Sequence, residues 1–470
     1  MSRDDALARA AAYFDDGRFL ETLSRRVAVR SESQNPAGAP QLRAYLDEHI
    51  APQLAQLGFT HRILENPHAG GGPFLLATRT EADAAFSVLT YGHGDVVRGQ
   101  EGLWREGLDP WRVTVQGDRW YGRGTADNKG QHSINLAALA QVLAVRGGKL
   151  GYNLKIVLET GEETGSPGLR EFCALHHEEL AADVFIASDG PRVAASSPTL
   201  FLGSRGFFNF SLRANLRDGG HHSGNWGGLL RNAGTRLAHA IASLVDAKGR
   251  VLVKGLLPDS LPANVREALK TISVGGDPGD PAIDSDWGEP GLTPTERVYG
   301  WNTVEVLAYK TGNPDAPVGA IPGHAFALCQ IRFVVGSDSA NFVAHIRKHL
   351  QAHGFDDIDV QPDGEPMAAT RLDPDDAWVR WGLDSIRRST GKAPSLLPNF
   401  GGSLPNDVFA ELLGMPTLWF PHSYPACSQH APNEHLLGSV AREGLQLMAG
   451  IFWDLAESGH DVVRHRAGLR

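Results

Sequence analysis

A run of β-forming residues, Asn153-Leu154-Lys155-Ile156-Val157-Leu158, stops abruptly at Glu159-Thr160-Gly161, and Glu162-Glu163-Thr164-Gly165-Ser166-Pro167-Gly168 follows. A strand this rich in Val, Ile and Leu reads as buried. Open α/β sheets place their ligands at the carboxyl ends of such strands. Two adjacent acids therefore stand where chemistry is done, on a backbone that Gly, Thr, Ser and Pro force to turn. Carboxylates on irregular backbone can point differently, so one could bind a metal while the other handles a proton. Taken alone, the pair also reads as a solvated acidic turn, which is the commoner case. The rest of the chain decides between them.

The same arrangement recurs on either side. Phe86 to Val97 is a strand running into His93-Gly94-Asp95. Alternation puts His93 and Asp95 on one side if the strand continues, and a carboxylate beside an imidazole fixes its tautomer. Gly122-Arg123-Gly124-Thr125-Ala126-Asp127-Asn128-Lys129-Gly130 is a tight turn ahead of a helix from Gln131 to Val145, which Gly147-Gly148 closes. Asp127 stands where an N-terminal capping acid would also stand. The Gly-Lys-Ser/Thr signature of a phosphate loop is absent. A helix over Leu169–Leu180 and a short strand, Asp183–Ala187, lead into Ser188-Asp189-Gly190. Further upstream, Leu7–Val29 reads as one or two helices, Leu42–Leu57 as a helix closed by Gly58, and Phe74–Ala77 as a strand. Strands and helices alternating with acids at strand ends specify an α/β domain: a mostly parallel mixed sheet flanked by helices.

The character then changes. Thr199–Leu216 is β-forming, and His221-His222-Ser223-Gly224 leads to a helix ending near Val245. Gly275–Gly291 reads as a long surface loop. Phe326–Val335 is a strand, Ser337–His353 a helix capped by Ser337 or Asp338, and Ile358–Val360 a strand. This is a second, smaller α+β domain. From Asp373 the first character returns: helix Asp375–Ser389, loop Gly401–Pro405, helical piece Val408–Leu413, strand Pro416–Phe420, loop Pro425–His435 and an amphipathic helix over Leu437–Ser458. One discontinuous domain, 1–206 and 371–470, is thus interrupted by another at 207–370.

Composition narrows the partners. A net charge of −10 argues against nucleic acid as the main partner, since phosphate binding needs a basic face. No apolar run approaches a membrane span and Met1–Asp5 leads into an amphipathic run, so no membrane partner and no export signal are expected. Three widely spaced cysteines, Cys173, Cys329 and Cys427, make no disulfide framework, which points to a reducing cytoplasm.

His93, Asp127, Glu163, Asp189 and His430 are imidazoles and carboxylates at turns after strands or before helices. Nitrogen and oxygen ligands without thiolates suit zinc, cobalt or manganese, and two metals sharing one bridging carboxylate would use all five.

His93-Gly94-Asp95, Gly122–Gly130, Glu162-Glu163-Thr164-Gly165-Ser166, Ser188-Asp189-Gly190, His222-Ser223-Gly224 and His430-Ala431-Pro432-Asn433-Glu434 together resemble the motifs of the co-catalytic zinc peptidase family. That family includes carnosine dipeptidases, carboxypeptidase G, aminoacylase and acetylornithine deacetylase, and the style here is that of the dipeptidase branch. The resemblance implies a catalytic domain with an inserted lid and dimerisation domain. It implies two divalent metals, zinc first with manganese or cobalt as alternatives. Asp127 would bridge them, His93 and Asp189 would complete one site, and Glu163 and His430 the other. Glu162 would be the general base acting on a bridging water, and Asp95 would hold His93. His222 would reach a partner subunit's active site in a homodimer and stabilise the oxyanion. His430, which precedes Asn-Glu, is chosen over His435, and the His-Ser-Gly pattern selects His222 over His221.

The resemblance also implies that Arg332 clamps a substrate carboxylate, a planar task suited to a guanidinium, and that Gly402-Ser403 touches it. Asn225-Trp226 and Asn399-Phe400 differ from what a carnosine dipeptidase would carry. The implied activity is hydrolysis of dipeptides or short peptides with a free carboxylate. The alternatives are an N-acyl- or N-carbamoyl-amino-acid amidohydrolase and a catalytically silent peptide-binding homologue. Cys427, near His430, reads as a packing thiol.

Overall fold

The computed structural model describes residues 2–275 and 281–468. The chain divides into two compact units: 1–202 with 372–397 and 405–470, and 203–371 with 398–404. The first unit opens with helix α1 (Arg3–Asp15), capped by Ser2 and Asp5 in a reciprocal pair of hydrogen bonds. Strands β1 (Thr60–Leu64), β2 (Phe74–Arg79) and β3 (Ser87–His93) follow, then helix α2 (Lys129–Val145), β4 (Asn153–Glu159), β5 (Val184–Ala187) and β6 (Thr199–Phe201).

The second unit is an antiparallel sheet of β7 (Gly206–Asn215), β8 (Thr303–Thr311), β9 (His324–Phe333) and β10 (Ile358–Pro362), in the order β8-β9-β7-β10. Burial alternates along β9, and Ala325, Ala327, Cys329, Ile331 and Phe333 share a core with Phe210, Leu212 and Ala214 of β7. Helices α3 (Ala233–Leu244) and α4 (Phe342–Ala352) cover that face with Leu237, Leu244, Phe342 and Ile346. The period-2 pattern of β9 against the helical spacing of α3 and α4 is the sequence origin of this layer pair.

The chain then returns to the first unit with helix α5 (Ala377–Thr390), β11 (Ser395–Leu397), β12 (Thr417–Trp419) and helix α6 (Gly438–Asp454). The eight-stranded sheet runs β1-β2-β4-β3-β5-β12-β6-β11. Its middle is parallel: β3 pairs in that sense with β4 and β5, and β5 with β12. The flanking pairs β1–β2, β2–β4 and β12–β6 are antiparallel, so the sheet is mixed. Both faces of the central strands are covered. Val88, Leu154, Ile156, Val184 and Ile186 join the core that includes α2 and α6. The opposite face holds an aromatic layer in which Phe185 stacks on Phe409 at 4.2 Å and Trp419 on Phe201 at 5.7 Å. Burying each such side chain is worth roughly 1.5–3 kcal/mol.

Three sequence expectations change. Thr303–Thr311 is an edge strand, not foreseen because most of its residues are exposed and supply no buried alternation. The helix expected over Ser337–His353 begins with a 3-10 turn at Ser339–Asn341 and becomes α only at Phe342, because the Asp338 carboxylate binds Asn341 and His345 and does not cap the α-helix. The helix expected over Leu169–Leu180 breaks at His176 into Leu169–Leu175 and His177–Leu180. The surface loop read over Gly275–Gly291 lies partly outside the described residues. Among the described residues no helix is long and apolar enough to cross a membrane.

Candidate active site

The parallel register of β3 and β4 pairs His93 with Glu159, so the ends of these neighbouring strands open onto one edge. His93 is the last residue of β3. The strand ends there, yet Asp95 still meets it: His93 Nδ1 lies 3.3 Å from Asp95 Oδ1 and 3.1 Å from the Asp95 carbonyl. The Asp95 carboxylate also accepts the backbone N–H groups of Glu162 (3.2 Å) and Glu163 (3.1 Å). One fully buried acid thus orients an imidazole and fixes the acidic turn.

Asp127 is delivered by the glycine turn before α2. Gly124 has φ +84°, a conformation that L side chains rarely adopt, and a Cβ on Gly130 would meet the Thr125 carbonyl oxygen at 1.9 Å. Asp127 does not cap the helix. Asn128 holds that position, with its amide donating to the Ser188 carbonyl at 2.9 Å. Asp127 instead sends one oxygen to each side of the site. Its Oδ1 lies 3.1 Å from His93 Nε2 and its Oδ2 3.0 Å from His430 Nε2. Asp189 Oδ2 is 3.7 Å from His93 Nε2, and Glu163 Oε2 is 3.0 Å from His430 Nε2. Glu162 Oε2 stands 3.9 Å from His93 Nε2. Ligand atoms of His93, Asp127 and Glu163 all lie within 4.8 Å of one another, a group able to hold a metal ion.

The electrostatics carry the same division. Burial pushes the Glu162 carboxyl well above its usual range, with the charges of Asp189 and Glu163 adding to it. Burial and the Asp127 charge raise Glu163 to about 7, and burial raises Asp189 to about 6. Burial works against a charged Asp127, but hydrogen bonds from His430 and His93 hold it far below the carboxylate range. Burial likewise works against a charged His93, but Asp127 and Asp95 outweigh it and hold its imidazole well above the usual value. Hydrogen bonds to Asp127 and Glu163 raise His430 to about 11. Two imidazoles whose surroundings favour their charged forms sit among four acids, and Asp189 Oδ2 is buried with no hydrogen-bond partner among the described residues. This donor set fits divalent metal ions.

Sequence reading missed several residues here. Glu159 is fully buried, accepts from Tyr91 (2.6 Å) and Ser166 (2.9 Å), and is raised to about 7 by burial. It read only as the end of a strand. The Gln429 amide donates to Asp127 Oδ2, with no sequence signal beyond its place beside His430. His435 lies outside the group, its ring packed on Tyr121 and Tyr424. Cys427 is a buried free thiol.

The remaining expected residues belong to the second unit. Arg332 donates to Ser403 Oγ at 2.8 Å, and Ser403 Oγ donates to the Arg205 carbonyl at 2.7 Å. Gly402 packs its backbone against the Phe400 ring, which a Cβ would meet at 2.6 Å. Arg205 was not foreseen. Burial and the Arg332 charge lower it to about 10, and its Nε donates to the Gly401 carbonyl at 2.9 Å. His222 is exposed and separate from this group, in a two-residue ladder where His221 and His222 pair with Ile321 and Ala320.

Three comparisons bear on the site. The family model described as Peptidase family M20/M25/M40 matches residues 89–454. The Beta-Ala-His dipeptidase of Rattus norvegicus is 31% identical over 94% of this chain and 94% of its own length. The Cysteinylglycine-S-conjugate dipeptidase of Corynebacterium striatum is 30% identical over 62% of this chain and 64% of its own. Among solved structures, an M20 family metallo-carboxypeptidase, Sso-CP2 from Sulfolobus solfataricus, superposes with a TM-score of 0.77 at 25% identity, covering 93% of this chain and 99% of that one.

The protons described above set an expectation for metal loading. In metal-free protein His430, raised to about 11, and His93, held well above its usual value, favour their protonated forms, and Glu163 and Asp189, raised to about 7 and about 6, gain protons as pH falls through that range. An incoming divalent metal must displace them. Titration calorimetry at pH 7 in two buffers of different ionisation enthalpy should therefore show net proton release, and affinity should weaken from pH 8 to pH 6. Zero release with pH-independent affinity would show that metal does not bind at these groups.

Proposed function

The chain belongs to peptidase family M20/M25/M40, and from that footing we propose that it is a metal-dependent dipeptidase cleaving the amide bond of dipeptides or short peptides with a free carboxylate. The observation that carries this reading is Asp127, whose two oxygens face His93 on one side and His430 on the other. Asp127 would be shared between two metal ions, one also held by His93 and Asp189 and the other by Glu163 and His430. Zinc suits these nitrogen and oxygen donors, with manganese or cobalt as alternatives. When bound, such ions lower the pKa of water toward about 7 and polarise a carbonyl.

The chain's own residues supply the rest. Asp95 orients His93 and, through the N–H groups of Glu162 and Glu163, holds the acidic turn in place. Glu162 is the general base: it takes the proton of the attacking water and returns it to the leaving amine. Burial raises this carboxyl above its usual range, which makes its carboxylate a stronger base than a free one. Arg332 and Ser403, beside Gly402, bind the substrate's terminal carboxylate. His222 stabilises the tetrahedral oxyanion from a partner subunit. A homodimer through the inserted unit is supported by its edge strand β8, where Val306 (44%), Leu307 (51%) and Tyr309 (41%) are exposed. A reducing cytoplasm fits the three buried free thiols.

A panel of dipeptides, their C-terminal amides, and N-acetyl and N-carbamoyl amino acids tests the substrate class. Metal-loaded protein should turn over dipeptides and discriminate against the amides, and Arg332→Met should remove that discrimination. Turnover of acyl or carbamoyl amino acids alone would make the protein a deacylase. Binding without any turnover would make it a silent homologue. Glu162→Gln should keep its metal content and lose about 10²–10⁴-fold in kcat; unchanged kcat would remove Glu162 as the base. Mixing inactive His222→Ala and Glu162→Ala subunits should restore activity in verified heterodimers, and no recovery would sink the role in trans.

A further inference from the structure

Glu434 closes the His430-Ala431-Pro432-Asn433-Glu434 motif and has no part in the chemistry above. It is 1% exposed, and its carboxylate is fully engaged. Oε1 accepts three backbone N–H groups, from Gly124 (3.0 Å), Ala126 (3.0 Å) and Asp127 (3.1 Å). Oε2 accepts from Arg123 Nη1 at 2.8 Å. The Glu434 carbonyl accepts the Gly122 N–H at 3.0 Å. Every one of these partners lies in the turn that delivers Asp127.

The loop carrying His430 needs such an anchor. Ser428, His430 and Asn433 all have positive φ, at 57°, 60° and 66°. Non-glycine residues in that region are held only where the surroundings over-determine them. The ladder of His435–Leu437 with Arg119–Tyr121 fixes where the two segments start. It stops short of both His430 and Asp127. Among the described residues Glu434 alone reaches from one loop to the backbone N–H of Asp127 itself.

We infer that Glu434 is a positioning residue: it ties the His430 loop to the Asp127 turn and so sets the separation of two side chains that stand 303 residues apart in sequence. The inference rests on the reading of Asp127 and His430 as metal ligands. The carboxylate hydrogen bonds of Glu434 hold the segments of Asp127 and His430, and among the described residues none of them goes to the segments of His93 or Asp189 at the ends of β3 and β5. Its influence therefore falls on the His430–Glu163 site more than on the His93–Asp189 site.

Glu434→Gln separates this from a merely structural role. A glutamine offers one acceptor and one donor. In either orientation its NH₂ faces donors, either the three backbone N–H groups or Arg123. Stepwise zinc binding by chelator competition gives the readout, with the His430–Glu163 step assigned as the one lost in His430→Ala. Glu434→Gln should weaken that step roughly 10–100-fold and the other step less, the range found for groups that orient metal ligands. Amide exchange at Gly124, Ala126 and Asp127 should also quicken in metal-free protein. An equal loss at both steps, or no loss with only a lower Tm, would overturn the inference. Should Glu434→Gln not fold, Glu434→Asp keeps the charge but withdraws the carboxylate by one methylene, and is read in the same way. If His430→Ala loses no step, the ligand reading itself fails, and that result is distinct from a failure of Glu434.

Discussion

A carboxylate taken out of water cannot keep its charge alone, and Asp127 is taken almost completely out of water. Desolvating an isolated ion costs far more than the whole stability of a domain, so a buried charge is either paired or neutralised. Here it is paired twice, once by each oxygen, with His93 and with His430. Three more acids, Glu162, Glu163 and Asp189, converge on the same two imidazoles. The concentration of acids is tolerable because two imidazoles sit inside it and because burial pushes Glu162, Glu163 and Asp189 toward their neutral forms. Exchanging two protons for two divalent ions keeps that logic and strengthens it.

The fold is arranged to bring those charges together. Parallel strands release their residues at one edge, so β3, β4 and β5 contribute His93, the acidic turn and Asp189 side by side. The two site residues that do not come from these strands, Asp127 and His430, require other fastenings. The glycine turn delivers Asp127 because no side chain fits at Gly130, and the His430 loop reaches the site through three residues of positive φ. Hydrogen bonds from backbone to carboxylate fasten the turns: Asp95 grips the acidic turn, and Glu434, on the His430 loop, grips the Asp127 turn.

Much of this was legible in the sequence because it depends on local signals. Aliphatic runs ending in acids signalled the α/β class, and a change of pattern announced a second unit, although Thr199–Phe201, read with that change, belongs to the sheet of the first. The residues singled out at strand ends lie together in the first unit, and Arg332 with Ser403 in the second. What escaped the sequence depends on partners far along the chain. Glu434 bonds to backbone 307 to 310 positions away, and backbone N–H groups leave no residue-type signature. Glu159 looked like the last residue of a strand, although Tyr91 and Ser166 make it a buried acid. Strand β8 escaped because an edge strand with most residues exposed has no buried face to impose a period.

The interruption of the first unit has a consequence for how the chain is born. Arg3 of α1 hydrogen-bonds Asp454 of α6, a partner 451 residues away, and α1 packs along that helix. Strand β12, which separates β5 from β6 in the sheet, is also made only after the whole inserted unit. During synthesis the first two hundred residues therefore leave the ribosome with a sheet that lacks an internal strand and a helix that lacks its neighbour. The inserted unit carries its own core in one nearly continuous stretch and has all its β-strands before translation reaches α5. Long-range pairing of this kind is slow and leaves apolar surface uncovered while it waits. His430 is made only after the whole inserted unit, so the site cannot be assembled until translation has passed that unit.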